Sequence, residues 1–273
     1  MNLSTFLEDW PVDNVSAALV GEVEATSGDT TRTYELASVT KLLSAYAALI
    51  AVEEGVFELD TPAGPEGSTV RHLLAHTSGV CFDEPTPQKG VGERRIYSSA
   101  GYEILGELLE REAGVSFAEY AREAVFVPLG MEGAEIYGSP GHGGRARLSD
   151  LTAFAAELLA PTLIAEETLR EACTNQFGDL RGIVPGYGSQ NPCPWGLGFE
   201  IKGEKSPHWT GNTMPPETVG HFGAAGTYLW FVPSWLDVPG AGTAMVALTD
   251  RDFGEWAKTL WQETNDAVFA QLS

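Results

Sequence analysis

Ser38-Val39-Thr40-Lys41 places a hydroxyl and an amine three residues apart at the start of an apolar stretch. Residues at that spacing share one face of a helix, so the Lys41 amine can reach the Ser38 hydroxyl. A serine hydroxyl is a poor nucleophile until a base takes its proton. A lysine kept from water loses its charged form more readily and can be that base. Val39, Leu42, Leu43, Tyr46 and Ala47 surround Lys41 in sequence, so its face is not an obviously wet one. At a helix start the Ser38 N–H has no intrahelical partner. It can meet a developing oxyanion, with the helix dipole assisting. The plain alternative makes Ser38 an ordinary N-cap and Lys41 a solvated side chain. Four residues alone do not choose between these readings.

The elements that must hold this pair can be read from periodicity. Residues 39–54 are apolar nearly all round, which predicts a buried helix ended by Gly55. Residues 15–21 predict a short buried strand. Residues 32–36 predict a second strand after the Ser27-Gly28-Asp29 turn. Ser68-Thr69 is expected to cap a short helix over 70–75. Further amphipathic helices are predicted over 101–112, 117–124 and 150–159, the last capped by Ser149. After Pro194 the character changes. Residues 196–202, 226–232 and 243–249 are apolar, aromatic and β-branched, as antiparallel strands are. Residues 253–271 predict a final helix, with Trp256, Leu260 and Val268 facing the sheet. The two chain ends, 1–55 and 195–273, are expected to build one α/β unit. The stretch 56–194 inserts as a mainly helical one. A cleft between two such parts is a usual place for a ligand.

Composition narrows the function. The 273 residues are 43% hydrophobic and 20% charged, enough for one or two domains with a sizeable core. A formal charge of -22 repels nucleic acid and anionic membranes, so neither is an expected partner. Cys81, Cys173 and Cys193 match neither a disulfide framework nor a zinc site. Residues 1–11 carry Glu8 and Asp9 and lack a basic and apolar leader pattern, from which a cytoplasmic location is expected. The oligomeric state is left open.

Several motifs in order carry a resemblance. SVTK is followed by RHLLAHTSGV at 71–80, Tyr97-Ser98-Ser99, VPLGM at 127–131, WGLGFE at 195–200 and His221-Phe222-Gly223. S-x-x-K with two later elements is the signature of serine β-lactamases and penicillin-binding proteins. The chain resembles the class C branch of that family, which includes D-aminopeptidases and esterase-like hydrolases, over nearly its whole length. There the second element is Tyr-x-Asn and the third is Lys-Thr-Gly or His-x-Gly. The resemblance implies a β-lactamase-like α/β fold, with an antiparallel sheet flanked by helices and a mainly helical insert. It implies no cofactor and no metal. The expected partner is a small-molecule ester, amide or β-lactam.

By the same resemblance Ser38, Lys41, Tyr97 and His221 are the catalytic set. Tyr97 is the second base, ionising or relaying a proton. His221 polarises the Tyr97 proton or holds an anionic substrate group. Ser99 contacts substrate or Lys41, with a local turn or cap role as the alternative. Gly223 lets substrate lie close, and the Ala224 N–H completes an oxyanion hole with that of Ser38. Ser99 and His221 stand where the family has Asn and Lys, which points away from β-lactam turnover and toward an esterase or peptidase. The alternatives are a true class C-type β-lactamase or D-alanyl-D-alanine carboxypeptidase, and a penicillin-recognising or catalytically silent binding protein. His72 and His76 are read as scaffold and not as metal ligands. His142 and His208 are expected to line the cleft or face water. Trp195, Phe199, Trp209 and Trp230 are expected to pack the core or shape an acyl pocket.

Overall fold

A computed structural model describes residues 1–272. A short helix α1 (Ser4–Leu7) leads into strands β1 (Val15–Val20), β2 (Ala25–Ser27) and β3 (Thr33–Glu35). A 3-10 turn, Ala37–Val39, runs into helix α2 (Thr40–Glu53), buried along almost its whole length. Gly55 ends it with φ +74. The middle holds α3 (Val70–Leu74), α4 (Ala100–Ala113), α5 (Phe117–Ala121), β4 (Glu135–Ile136), β5 (Gly144–Arg147), α6 (Leu148–Leu159) and α7 (Glu166–Ala172). Strands β6 (Gly182–Val184) and β7 (Gly188–Gln190) form a hairpin. Then come β8 (Glu200–Ile201), β9 (Val219–Gly223), β10 (Thr227–Val232), β11 (Thr243–Thr249) and α8 (Glu255–Phe269).

The main sheet has the order β2-β1-β11-β10-β9-β8, so first and last strands of the chain meet at its centre. Every pairing in it is antiparallel. Its strands are apolar on both faces because both faces are covered. Ala18, Val20, Leu229, Phe231, Val246 and Leu248 enter the core that contains α2, α4 and α6. Their alternates Ala17, Leu19, Tyr228, Trp230, Met245 and Ala247 meet α1 and α8 on the other side. The period of two in a strand sends alternate residues to opposite faces, and here each face is a core.

Several elements depart from expectation. Residues 32–36 do form a strand, but its partner is distant: Thr33–Glu35 pairs with β5 in a small three-stranded sheet. Helix α6 begins at Leu148, and Asp150 supplies its cap by accepting the Arg147 N–H at 2.8 Å. Ser149 is already inside the helix. Most of 196–202 is not strand. Trp195 bridges back to Glu200, and Gly198 turns the chain at φ +91, leaving only Glu200–Ile201 in the sheet. On α8 Val268 is buried in the core under the sheet as expected, and Trp261 joins it there, while Trp256 and Leu260 are only half-buried. Among the described residues no helix is long and apolar enough to cross a membrane.

Candidate active site

Three elements converge on Ser38. The 3-10 turn holds it where the chain enters α2. Ala37, immediately before it, has φ +44, a left-handed conformation that a residue with a Cβ adopts at a cost. The β9–β10 turn closes against it, since Thr227, the first residue of β10, donates its Oγ1 hydrogen to Leu36 O at 3.0 Å. A Cβ on Gly223 would stand 2.2 Å from Leu36 O. Sequence reading linked that glycine to an approaching substrate. The structure gives a nearer cause, the close contact between β9 and the Ser38 turn. The Ser38 N–H lies in the first turn, outside the intrahelical ladder. Ala224 stands one residue past the end of β9, exposed at the mouth of the cleft.

Lys41 is fully buried. Its Nζ is 3.5 Å from Ser38 Oγ, 3.0 Å from Ser99 Oγ and 2.7 Å from Gly141 O. It also lies 4.6 Å from the centre of the Tyr97 ring. Burial lowers its pKa to about 7, with Glu103 the opposing influence. A good share of the amine is therefore neutral and basic near pH 7. The contact to Ser38 is long for a hydrogen bond, as is common before substrate tightens a site. Gly141 was not evident from sequence. The loop that carries it is pinned to α2 by Ser44 Oγ donating to Pro140 O at 2.7 Å and Gly144 N–H donating to Thr40 Oγ1 at 3.0 Å.

Ser99 is buried at the start of α4, and its side chain makes no cap bond there. Its hydroxyl faces Lys41, which favours the lysine contact over the cap alternative. Tyr97, two residues earlier, has a buried hydroxyl without a hydrogen-bond partner of ordinary geometry. Burial pushes its pKa further above the ordinary phenol range, and the nearby Ser38 side chain pulls weakly the other way. The phenol is thus neutral at physiological pH, so of its two expected roles relay is favoured and ionisation is not.

His221 is buried on β9, opposite Leu229 of β10 and one residue beyond the last pairing of β9 with β8. Its Nδ1 is 2.7 Å from Phe222 O. A carbonyl only accepts, so Nδ1 carries the hydrogen and Nε2 presents a bare lone pair. That Nε2 is buried without a partner, and the ring centre is 5.6 Å from that of Tyr97. Burial first, then the Lys41 charge, lowers the His221 pKa to about 4. A neutral ring is suited to accepting a hydrogen bond and poorly suited to holding an anion.

Ser38, Tyr97, His221 and Ala224 line a cleft of about 140 Å³ that also touches Phe82, Trp195 and Glu200. Glu200 is fully buried, with Lys205 Nζ and His208 Nε2 at 2.8 Å and 3.0 Å from one oxygen. Trp209 Nε1 donates to the other at 2.8 Å. Burial alone would raise its pKa, but Lys205 and His208 outweigh that and hold it below the usual carboxylate range. His208 is therefore neither a cleft wall nor a wet side chain. Its loop is folded inward by this carboxylate. His142 is exposed. His72 Nδ1 pairs with Thr69 Oγ1 at 2.8 Å, and His76 Nδ1 accepts the Ser98 N–H at 3.2 Å. Of the four large aromatics, Trp195 reaches the cleft, while Phe199, Trp209 and Trp230 are core. Phe82 comes from a loop and Glu200 from the two-residue strand β8, neither with a periodic signal of its own. Glu200 closes the WGLGFE stretch, in which Trp195 and Phe199 are the residues singled out from sequence.

Comparison with known proteins places this geometry in context. A family model described as Beta-lactamase matches residues 21–268. A penicillin-binding protein of Bacillus subtilis is 26% identical over 137 residues, a match covering 38% of this chain and 30% of that protein. The chain thus matches under a third of the length of that curated relative. The crystal structure of a β-lactamase from Mycobacterium bovis is 48% identical, covers 99% of both chains and superposes with a TM-score of 0.94. A hydrolase with promiscuous acyltransferase activity, EstCE1, is 16% identical over 97% of this chain and 96% of its own. Its TM-score is 0.76, a likeness of fold.

Proposed function

The chain belongs to the β-lactamase family, and on that premise we propose that it is a serine hydrolase acting on an ester or amide carbonyl through an acyl-enzyme on Ser38. One observation carries the reading. A fully buried lysine with a pKa near 7 has its amine within reach of a serine hydroxyl at a helix start.

Neutral Lys41 takes the Ser38 proton as Oγ attacks the carbonyl carbon. The negative oxygen of the tetrahedral species is met by the N–H groups of Ser38 and Ala224. The proton on Lys41 passes through the Tyr97 hydroxyl to the leaving oxygen or nitrogen, and the acyl bond breaks. His221, its ring centre 5.6 Å from that of Tyr97, would accept from that hydroxyl without carrying charge. In the second half a water gives its proton to Lys41 through the same relay and attacks the acyl carbon. The bond from that carbon to Ser38 Oγ then breaks, Oγ takes the proton back from Lys41 and the acid is released. No step calls on a cofactor. The division into a sheet unit, 1–55 with 195–273, and a helical unit, 56–194, belongs to the same proposal. Helix α6, from the second stretch, packs on β1 and β11 of the first.

A second reading, β-lactam hydrolysis, is favoured by the name of the Mycobacterium bovis relative. Ser99 and the neutral His221 argue for the first. Neither offers the amide donor or the fixed cation that a lactam's amide and carboxylate would meet. The test is intact-mass analysis of the wild type and Ser38→Ala after treatment with a fluorophosphonate and with a penicillin. Turnover of p-nitrophenyl esters and nitrocefin is measured alongside. We expect a fluorophosphonate adduct on wild type only, and ester kcat/KM above that for nitrocefin. Undiminished labelling of Ser38→Ala removes Ser38 as the nucleophile. Nitrocefin turned over faster than the best ester establishes the second reading instead.

A further inference from the structure

A second groove, of about 220 Å³, adjoins the Ser38 cleft and shares Phe82, Tyr97 and Pro185 with it. Its walls have two kinds of surface. Phe82 and Ile183 are large apolar side chains, each 53% exposed. Arg94 and Arg95 lie among them.

The two arginines differ in what they already hold. The Arg95 guanidinium is buried and spent. It donates to Ala75 O at 2.8 Å, to Asn175 Oδ1 at 2.9 Å, to Gln176 O at 2.6 Å and to Cys193 O. Arg94 is half-buried, and its Nε is buried with no hydrogen-bond partner. Among the described residues no carboxylate pairs with it. That is notable in a chain with 38 acidic and 16 basic residues, where Arg71, Arg145 and Arg170 all have acidic neighbours. A guanidinium stripped of part of its water and left unpaired is a strong site for a planar anion. Its fork geometry matches a carboxylate.

We propose that Arg94 binds the carboxylate of a substrate whose apolar arm runs from the Ser38 cleft past Tyr97 and over Phe82 and Ile183. The inference rests on the serine-hydrolase reading and deepens it. The preferred substrates are esters or amides carrying an apolar chain that ends in a carboxylate. Arg94 thereby supplies the fixed cation that His221, neutral and buried, does not.

The experiment compares matched esters of equal chain length, one ending in a carboxylate and one in a methyl ester. The acid is placed on the acyl side in one series and on the alcohol side in the other. Wild type is expected to prefer the acid-terminated member of one series. In Arg94→Gln the ratio of the two kcat/KM values should fall roughly tenfold, as loss of one charge-assisted pair implies, chiefly through KM. Arg94→Lys should restore part of it, and Arg94→Glu should invert the preference. Equilibrium binding of the same esters to Ser38→Ala, by calorimetry, asks the same question without turnover. An Arg94→Gln change on that background should weaken the acid-terminated ester alone. A ratio unchanged by Arg94→Gln in both series, with unchanged affinities, overturns the proposal. Failure of wild type to hydrolyse even the neutral esters counts against the hydrolase reading, and the binding measurements then decide on Arg94 alone.

Discussion

The Lys41 amine is nearer to the Ser99 hydroxyl, at 3.0 Å, than to the Ser38 hydroxyl, at 3.5 Å. Ser99 is thus placed to aim the amine. The ammonium form gains an acceptor there, which favours charge on Lys41 and opposes the lowering by burial. In Ser99→Ala the acid limb of kcat/KM against pH should therefore move to lower pH. The plateau should fall about tenfold because the amine is less well oriented. An unchanged limb and plateau would return Ser99 to a local structural role.

Lys41 is expected to set the pH dependence of the wild type. Its pKa of about 7 means that the neutral form gains population as pH rises through that value. If neutral Lys41 is the base, kcat/KM rises through an apparent pKa near 7 and levels above it. His221, lowered to about 4, is already neutral across that range and contributes no limb there. Lys41→Arg should lose activity by several orders of magnitude at every pH, because arginine keeps its proton. A rate profile flat from pH 5 to 9, or an active arginine variant, contradicts the assignment.

Lys205 and Glu200 form an ion pair with both side chains fully buried, 2.8 Å apart. Removing one partner leaves the other charge uncompensated in the interior, so Lys205→Met should destabilise the fold by about 3–5 kcal/mol. The double change Lys205→Met with Glu200→Gln should recover most of that. The sign with pH follows from the carboxylate. In wild type Glu200 is held below its ordinary pKa, so its stabilisation is present above that ordinary value and is lost as pH falls. In Lys205→Met burial dominates and raises the pKa, so protonation favours the folded form. The stability gap between the two proteins should therefore narrow as pH falls toward 5. Urea midpoints at pH 5 and pH 8 measure it, and a gap that widens at low pH refutes the account.

What the sequence made legible follows from how far each signal reaches. Ser38 and Lys41 were readable because three residues on a helix fix their relation locally. Tyr97, Ser99 and His221 were placed by family motifs, since nothing local joins positions so far apart. The central strands were clear where apolar residues ran together, as in β10 and β11. Strand β8 was overextended because the same apolar run also fits a turn closed by Gly198. His208 was left undecided because its partner, Glu200, is on a sheet strand and no periodicity links a loop histidine to it. The protonation states were beyond reach, because burial and not residue type drives the largest effects on Lys41, Tyr97 and His221.

Tyr97 offers the sharpest separation of function from stability. Its hydroxyl is buried and lacks an ordinary hydrogen-bond partner, a state that costs a fold about 1–3 kcal/mol. Its ring packs against His76 at 4.8 Å and Phe82 at 5.9 Å between centres, contacts that phenylalanine keeps. Tyr97→Phe should therefore be at least as stable as wild type, with a urea midpoint equal or higher. If the hydroxyl relays protons, the same change should lower kcat about 10²–10⁴-fold. Both half-reactions use the relay, but attack by Ser38 can still draw directly on Lys41, whereas the deacylating water depends on the tyrosine. Acyl-enzyme should then accumulate, visible by intact mass within the first turnover of a good ester. Wild-type kcat in a stable Tyr97→Phe variant, with no adduct at steady state, would leave Lys41 as the sole proton carrier.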